Sequence, residues 1–306
     1  MKPAVRVVNL KKSYGEVESL RGVDFTTCEG ECFGIIGPDG AGKTTLLRIL
    51  ATLLSPSSGT AEVAGRDAVK DYKDIRKKVG YMPGRFSLYQ DLTVEENIAF
   101  FATVFGATVT ESYGRIKDIY HQIEPFADRK AGDLSGGMKQ KLALCCALVH
   151  KPEILLLDEP TTGVDPVSRN EFWDVLNRLQ RQGITIIVTT PYMDEATRCD
   201  RIALIREGRF LQTDTPEHII RQFDQTLWAV SGTHMFRLLA ELRAHPQVTS
   251  SYAFGDAHHV TVDNRLTTGD LAAYLAAKGH DGVEIKPIRA SIEDCYMQSA
   301  QYGSEL

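Results

Sequence analysis

Residues 37–44, Gly-Pro-Asp-Gly-Ala-Gly-Lys-Thr, have the spacing G-x-x-x-x-G-K-[ST]. Gly37, Gly40 and Gly42 permit a turn tight enough to aim several backbone N–H groups at one anion. Lys43 can then reach the β- and γ-phosphates of a nucleoside triphosphate, and the Thr44 hydroxyl can ligate Mg²⁺. Pro38, Asp39, Ala41 and Thr45 complete the candidate nucleotide loop. Asp39 is the odd member, because a carboxylate beside phosphates is unfavourable unless it points outward. A second group lies at 154–159, Ile-Leu-Leu-Leu-Asp-Glu, an apolar run ending in two acids. Asp158 is expected to hold the metal together with Thr44, and Glu159 to act as general base toward an attacking water.

These groups need particular elements to hold them. Cys32–Ile36 reads as a short buried strand and Thr44–Leu54 as an apolar helix. Together they put the phosphates at a helix N-terminus, where the backbone dipole favours negative charge. Ile154–Leu157 reads as a central parallel strand buried on both faces. Leu134-Ser135-Gly136-Gly137-Met138 opens a helix in which Met138, Leu142, Cys145, Cys146 and Val149 recur at helical spacing. Ser135 can cap that helix, and the two glycines let another molecule come close to its first N–H groups.

Residues 4 to about 35 alternate like antiparallel strands around a turn at Gly15, and residues 88 to 148 turn helical. Thr93-Val94-Glu95-Glu96 is a capping box there. From Ile154 to Ile205 strand and helix alternate, as in a doubly wound α/β sheet. Beyond residue 222 the chain reads as a compact α+β region. Its strands are Thr226–Val230, His258–Val262 and Val283–Pro287, and its helices Met235–Ala244, Thr268–Lys278 and Ser291–Gln301.

In their order and spacing these motifs resemble the ATP-binding-cassette (ABC) family over residues 4–220 or so. Leu134–Met138 resembles the family's signature, Tyr14 the aromatic residue on which adenine stacks, and Thr162-Gly163-Val164-Asp165 the D-loop. The resemblance implies an α/β P-loop NTPase cassette over 1–222. It would consist of an antiparallel β subdomain, a mixed central sheet and a helical signature subdomain over about 88–148, followed by an accessory α+β domain over 223–306. It also implies ATP and Mg²⁺ as cofactors, with a second cassette and membrane-spanning permease subunits as partners. Two cassettes in the family pair head to tail, so that the signature of one closes over the γ-phosphate held by the other. Phe86, Ser87, Leu88 and Tyr89 fall where the family receives a permease's coupling helix, although core packing of the helical subdomain would place aromatics there equally well. The ending Ala290–Met297, with its Ser-Ile-Glu-Asp-Cys-Tyr, resembles the Ser-Leu-Glu-Asp-Val-Phe ending of drug-resistance-type exporter cassettes.

Two positions depart from the family's pattern. Gly84 stands after Val79-Gly80-Tyr81-Met82-Pro83, where the family has a Gln that contacts the metal and the attacking water. Pro191 stands after Thr190, where the family has a His that bonds the γ-phosphate. Glycine has no side chain, and proline donates from neither side chain nor backbone. Losing one positioned transition-state contact costs about 3–4 kcal/mol, roughly a hundred- to a thousandfold in rate. The expectation is a transport ATPase subunit, an exporter by resemblance, with an impaired site of its own. The alternatives are a working homodimer that relies on Glu159, a binding-only regulatory cassette whose partner hydrolyses, and a non-transport cassette acting on ribosomes or DNA.

Composition narrows the classes. With 35 Lys+Arg against 40 Asp+Glu the 306-residue chain is mildly acidic, and it carries no basic block of the kind that binds nucleic acid. No run approaches the roughly 18–20 apolar residues that cross a bilayer, and the first residues lead directly into a strand rather than an apolar leader. The expected location is cytoplasmic, peripheral on the inner face of the membrane. The six cysteines show no metal-ligand spacing and read as small buried apolar residues, with Cys199 and Cys295 isolated.

Overall fold

Alternating burial folds the first 28 residues into a hairpin, β1 (Pro3–Tyr14) and β2 (Val17–Cys28), which turns at Gly15 with φ +60°. A computed structural model describes residues 2–302. After β3 (Cys32–Ile36) and α1 (Lys43–Leu50) come β4 (Ser58–Val63) and β5 (Arg66–Asp67). These join the hairpin in an antiparallel sheet of order β2-β1-β4-β5. A short α2 (Tyr72–Ile75) leads to β6 (Val79–Met82), and then α3 (Val94–Val104), α4 (Val109–Tyr120) and α5 (Gly136–Leu148) make up the helical part. Thr93 caps α3 in the capping box its sequence announces, with Glu96 returning to the Thr93 N–H at 2.8 Å.

The apolar run becomes β7 (Ile154–Asp158), followed by α6 (Pro166–Arg181), β8 (Thr185–Thr190), β9 (Arg201–Arg206) and β10 (Arg209–Asp214). The second sheet has the order β10-β9-β3-β8-β7-β6. Its strands are parallel except for β10, so it is mixed. β3, β7 and β8 are buried along their whole length, as strands covered on both faces must be. Leu46, Leu47, Ile49 and Leu50 of α1 pack with Ile35, Leu156 and Ile187 of this sheet and with Leu10 and Val23 of the hairpin. Burying each such side chain contributes about 1.5–3 kcal/mol, so this core fixes where α1 begins. The helix ends at Leu50 rather than at Leu54. Thr52 takes φ +60°, the Leu53 N–H returns to Arg48 O at 2.8 Å, and Leu53 is 56% exposed. Leu53 therefore belongs to the surface, while Leu54 packs against the core from the loop.

The chain divides into two compact units, Met1–Pro216 and Glu217–Leu306. α7 (Pro216–Arg221) precedes β11 (Thr226–Ser231), α8 (Met235–Ala244), β12 (Val248–Phe254), β13 (Ala257–Val262), α9 (Thr268–Ala277), β14 (Glu284–Pro287) and α10 (Ile292–Tyr302). The β-α-β-β-α-β order and the antiparallel sheet β12-β13-β11-β14 make a ferredoxin-like arrangement. β12 is absent from the sequence reading because Ser250 and Ser251 interrupt its apolar alternation. Trp228, Val230, Val260 and Val262 meet Leu238, Leu242, Leu271 and Leu275 of α8 and α9 on one face. His258 and His259 point to opposite faces, as neighbours on a strand do. His258 Nε2 bonds Met235 O at 2.7 Å, and His259 Nδ1 bonds Asp294 Oδ1 of α10 at 2.7 Å. Among the described residues no helix is long and apolar enough to cross a membrane.

All six cysteines are free thiols, and five are buried. Cys199 is isolated only in sequence. A hydrogen bond with the Cys32 thiol, together with burial, holds it well above the ordinary thiol range.

Candidate functional site

The loop between β3 and α1 is shaped by glycines that no other residue could replace. A Cβ on Gly37 would lie 2.2 Å from Ile205 O, and one on Gly42, at φ +104°, 2.5 Å from Ser19 O. The Gly37 N–H donates to Thr190 O at 3.3 Å, and Ala41 O accepts from the Gly208 N–H at 3.0 Å, so the loop is tied to β8 and to the β9–β10 turn. Asp39 is exposed, which removes the objection to a carboxylate here. The Thr45 hydroxyl accepts from Ser19 Oγ at 2.8 Å.

Lys43 is 3% exposed. Its ammonium donates to Gly37 O at 2.8 Å and Pro38 O at 2.9 Å, and lies 3.0 Å from Glu159 Oε1. Thr44 Oγ1 donates to Asp158 Oδ1 at 3.0 Å. The structure thus gathers Lys43, Thr44, Asp158 and Glu159 at the ends of β3 and β7. Glu159 leaves the strand in the left-handed region, φ +49°, a conformation a non-glycine residue keeps only when its surroundings hold it. Thr189, unremarked in the sequence, does part of that holding. Its hydroxyl accepts from the Glu159 N–H at 3.0 Å and donates to Asp158 Oδ1 at 2.9 Å. Hydroxyl and carboxylate oxygens are the hard donors Mg²⁺ takes, and the glycine cradle opens on a helix N-terminus, so the residues fit Mg²⁺ and a polyphosphate.

Of the two departing positions, Gly84 lies against this cluster and Pro191 follows the end of β8. A Cβ on Gly84 would stand 3.0 Å from Asp158 O and 3.8 Å from its Cγ. The Gln90 backbone carbonyl ties this segment to the helical part, accepting from the Gly132 N–H at 2.9 Å. Pro191 follows Thr190, whose carbonyl holds the phosphate loop at Gly37. Beyond Pro191 the backbone forms a 3₁₀ turn, Met193–Arg198. Thr190 Oγ1 donates to buried Glu195 at 2.6 Å, and Arg169 of α6 bridges Glu195 at 3.1 Å and Asp194 at 3.2 Å. The Arg169 guanidinium also lies 4.3 Å from the Tyr192 ring centroid. A run reading Tyr-Met-Asp-Glu-Ala gave no sign of this long-range ion pair.

Ser135 caps α5, its Oγ accepting from the Met138 N–H at 3.4 Å, and Leu134 is buried. Cβ atoms on Gly136 and Gly137 would come within 3.3 Å of Gly163 O and 2.9 Å of Ser168 Oγ. Those glycines let α5 pack against the 163–168 segment of its own chain. Asp165 caps α6 by accepting from the N–H groups of Val167 (3.1 Å) and Ser168 (3.0 Å), and the Ser168 bond foremost holds its carboxyl below the usual range. Tyr14 ends β1 half exposed, with the Lys12 ammonium 5.4 Å from its ring centroid.

A mainly apolar groove of about 370 Å³ runs between the helical part and the edge of the mixed sheet, lined by Leu53, Tyr81, Leu88, Val104, Phe105 and His150 among others. Val104 is 61% exposed. His150 stacks on Phe105 at 3.9 Å and donates from Nε2 to Val79 O at 3.1 Å, and burial pushes its pKa below the ordinary imidazole value. Phe86, partly buried, lies under the Lys139 ammonium, 5.6 Å from its ring centroid.

The family described as ABC transporter matches residues 20–162. Among curated relatives, "Nod factor export ATP-binding protein I" of Burkholderia orbicola (strain AU 1054) is 40% identical over 297 residues, covering 95% of this chain and 94% of that protein. "Probable multidrug ABC transporter ATP-binding protein YbhF" of Escherichia coli (strain K12) is 38% identical over 280 residues and 90% of this chain. The chain spans 48% of that relative's length. Among solved structures, cbiO1 from Clostridium perfringens, described as part of the ABC transporter complex cbiONQ, superposes with TM-score 0.65 at 28% identity, over 72% of this chain and 92% of its own. The ATP-binding cassette MJ0796, in a dimeric post-hydrolysis state bound to ADP and Pi, gives TM-score 0.63 at 29% identity, over 69% and 98%.

Proposed function

The chain belongs to the ABC transporter family, and from that premise we propose that it is the ATP-binding subunit of an exporter whose own site binds Mg-ATP but is poorly equipped to hydrolyse it. One observation carries the reading: Lys43, Thr44, Asp158 and Glu159 converge within hydrogen-bond distances, while positions 84 and 191 beside them offer no side-chain donor. Lys43 and the N–H groups at the start of α1 would hold the triphosphate, Tyr14 offers a ring for adenine, and Thr44 with Asp158 would hold Mg²⁺. Bound there, Mg²⁺ would supply charge neutralisation to the phosphates. To reach phosphate, Lys43 exchanges its bonds to Gly37 O, Pro38 O and Glu159 for phosphate oxygens. That exchange frees the Glu159 carboxylate to take a proton from water.

Nothing at 84 or 191 fixes that water or the γ-phosphate, so binding outpaces turnover. Leu134–Met138 at the start of α5 and Asp165 at the start of α6 then serve the ATP of a second cassette, a copy or a different chain. The apolar groove with Leu53, Val104 and Phe105 at its rim suits a helix of a membrane-spanning subunit, which supports a peripheral position on the inner face of the membrane. The names of the Nod factor and multidrug relatives support export. The Gly84 and Pro191 pair also favours a second reading, a binding-only regulatory cassette whose mate hydrolyses. ATP binding and turnover of the purified chain decide between them: measurable slow turnover abolished by Glu159→Gln supports the first, and none at all the second.

A further inference from the structure

We infer that Thr189 is the positioning residue that fixes the Asp158 carboxylate and the backbone corner at Glu159, and so sets the site's hold on Mg²⁺. The inference rests on the Mg-ATP reading above. Thr189 is fully buried at the C-terminal end of β8 and pairs directly across the sheet with Asp158. A hydroxyl has one proton to give and two lone pairs, and this one is used in both senses on adjacent residues. It gives its proton to Asp158 Oδ1 at 2.9 Å and receives the Glu159 N–H at 3.0 Å. Asp158 Oδ1 is thereby held from two sides, by Thr189 and by Thr44 at 3.0 Å. Thr44 is itself assigned to the metal, so of the two hydroxyls on Asp158 only that of Thr189 has no metal-binding task. The same hydroxyl shares the Glu159 N–H with the Thr189 backbone carbonyl, at 3.1 Å, at the corner where Glu159 takes φ +49°. In a chain with Gly84 and Pro191, these are bonds that fix the acids without help from either altered position.

Thr189→Val keeps the shape and the buried volume but removes the hydroxyl, and Thr189→Ser keeps the hydroxyl. Trinitrophenyl-ATP fluorescence, titrated with Mg²⁺ and repeated in EDTA, reads metal-dependent and metal-free binding separately. Thr189→Val is expected to raise the Mg²⁺ half-saturation about tenfold, the usual scale for a hydrogen bond to a charged group, with binding in EDTA unchanged. Thr189→Ser is expected to restore the wild-type value. An unchanged half-saturation in Thr189→Val, or equal losses with and without Mg²⁺, would overturn the assignment while leaving the site reading intact. Wild-type protein with no Mg²⁺-dependent binding would instead overturn the site reading itself.

Discussion

Replacing Pro191 by His is expected to raise Mg-ATP turnover about a hundredfold. Residue 191 leaves the sheet immediately after Thr190, whose carbonyl accepts from Gly37, the first residue of the phosphate loop. A side-chain donor at that point therefore stands beside the bound phosphates. One donor aimed at charge that develops in the transition state contributes about 3 kcal/mol, roughly two powers of ten. The segment has room for the change, because residue 191 is partly exposed and water can satisfy the new backbone N–H. Losing the proline costs stability only through the unfolded chain, about 1 kcal/mol or less. Gly84→Gln gains less, since its Cβ would meet Asp158 O at 3.0 Å and the strand end must give by a few tenths of an ångström. The double variant gains less than the product, because groups that act as a unit do not add. Phosphate release at saturating Mg-ATP measures each variant, with Glu159→Gln in the Pro191→His background as the control. A Pro191→His protein that binds ATP normally but turns over no faster would refute the argument that this position limits hydrolysis.

Three further outcomes are expected. Because burial holds His150 below its ordinary pKa of 6.5, the folded state resists its protonation; the stabilisation is full above pH 6.5 and is lost as pH falls through the folded value. Denaturant unfolding at pH 7.5, 6.5 and 5.5 should show this loss in the wild type and not in His150→Gln, which keeps a donor for Val79 O. Asp294→Ala removes the partner of His259 and the acceptor for the Ser291 N–H and hydroxyl. A cap of this kind contributes about 1 kcal/mol, so amide hydrogen exchange in α10 should rise about fivefold while ATP binding holds. Leu53→Arg with Phe105→Glu puts charge into the apolar groove, and should abolish co-purification with membrane-spanning subunits while leaving nucleotide binding of the purified chain unchanged.

The convergence of Lys43, Thr44, Asp158 and Glu159 was legible in the sequence because each half of it is local. Gly37 to Thr44 is a single turn of backbone, and Asp158-Glu159 ends a strand whose burial shows as four apolar residues in a row. The caps at Thr93 and Ser135 depend on neighbours three residues away, so they could be read as well. Long-range bonds could not. Thr189 reaches Asp158 across 31 residues of sequence, and Arg169 reaches Glu195 across 26. A threonine in an apolar strand and an arginine on a helix look the same whether or not they find such partners. α1 ended before its apolar pattern did because the chain turns at Thr52, which exposes Leu53 and brings Leu54 back against the core from outside the helix. β12 escaped notice because its burial comes from the sheet around it, not from its own alternation of side chains.

The most direct test of the account is the ratio of binding to turnover in the purified chain. ATP affinity and steady-state Mg-ATP hydrolysis would be measured across a range of protein concentrations, with Glu159→Gln in parallel. The account predicts saturable Mg-ATP binding with hydrolysis roughly a hundredfold or more below the ordinary enzyme scale of about 10 per second. Hydrolysis near that ordinary scale, abolished by Glu159→Gln, would contradict it and make the chain a self-sufficient ATPase.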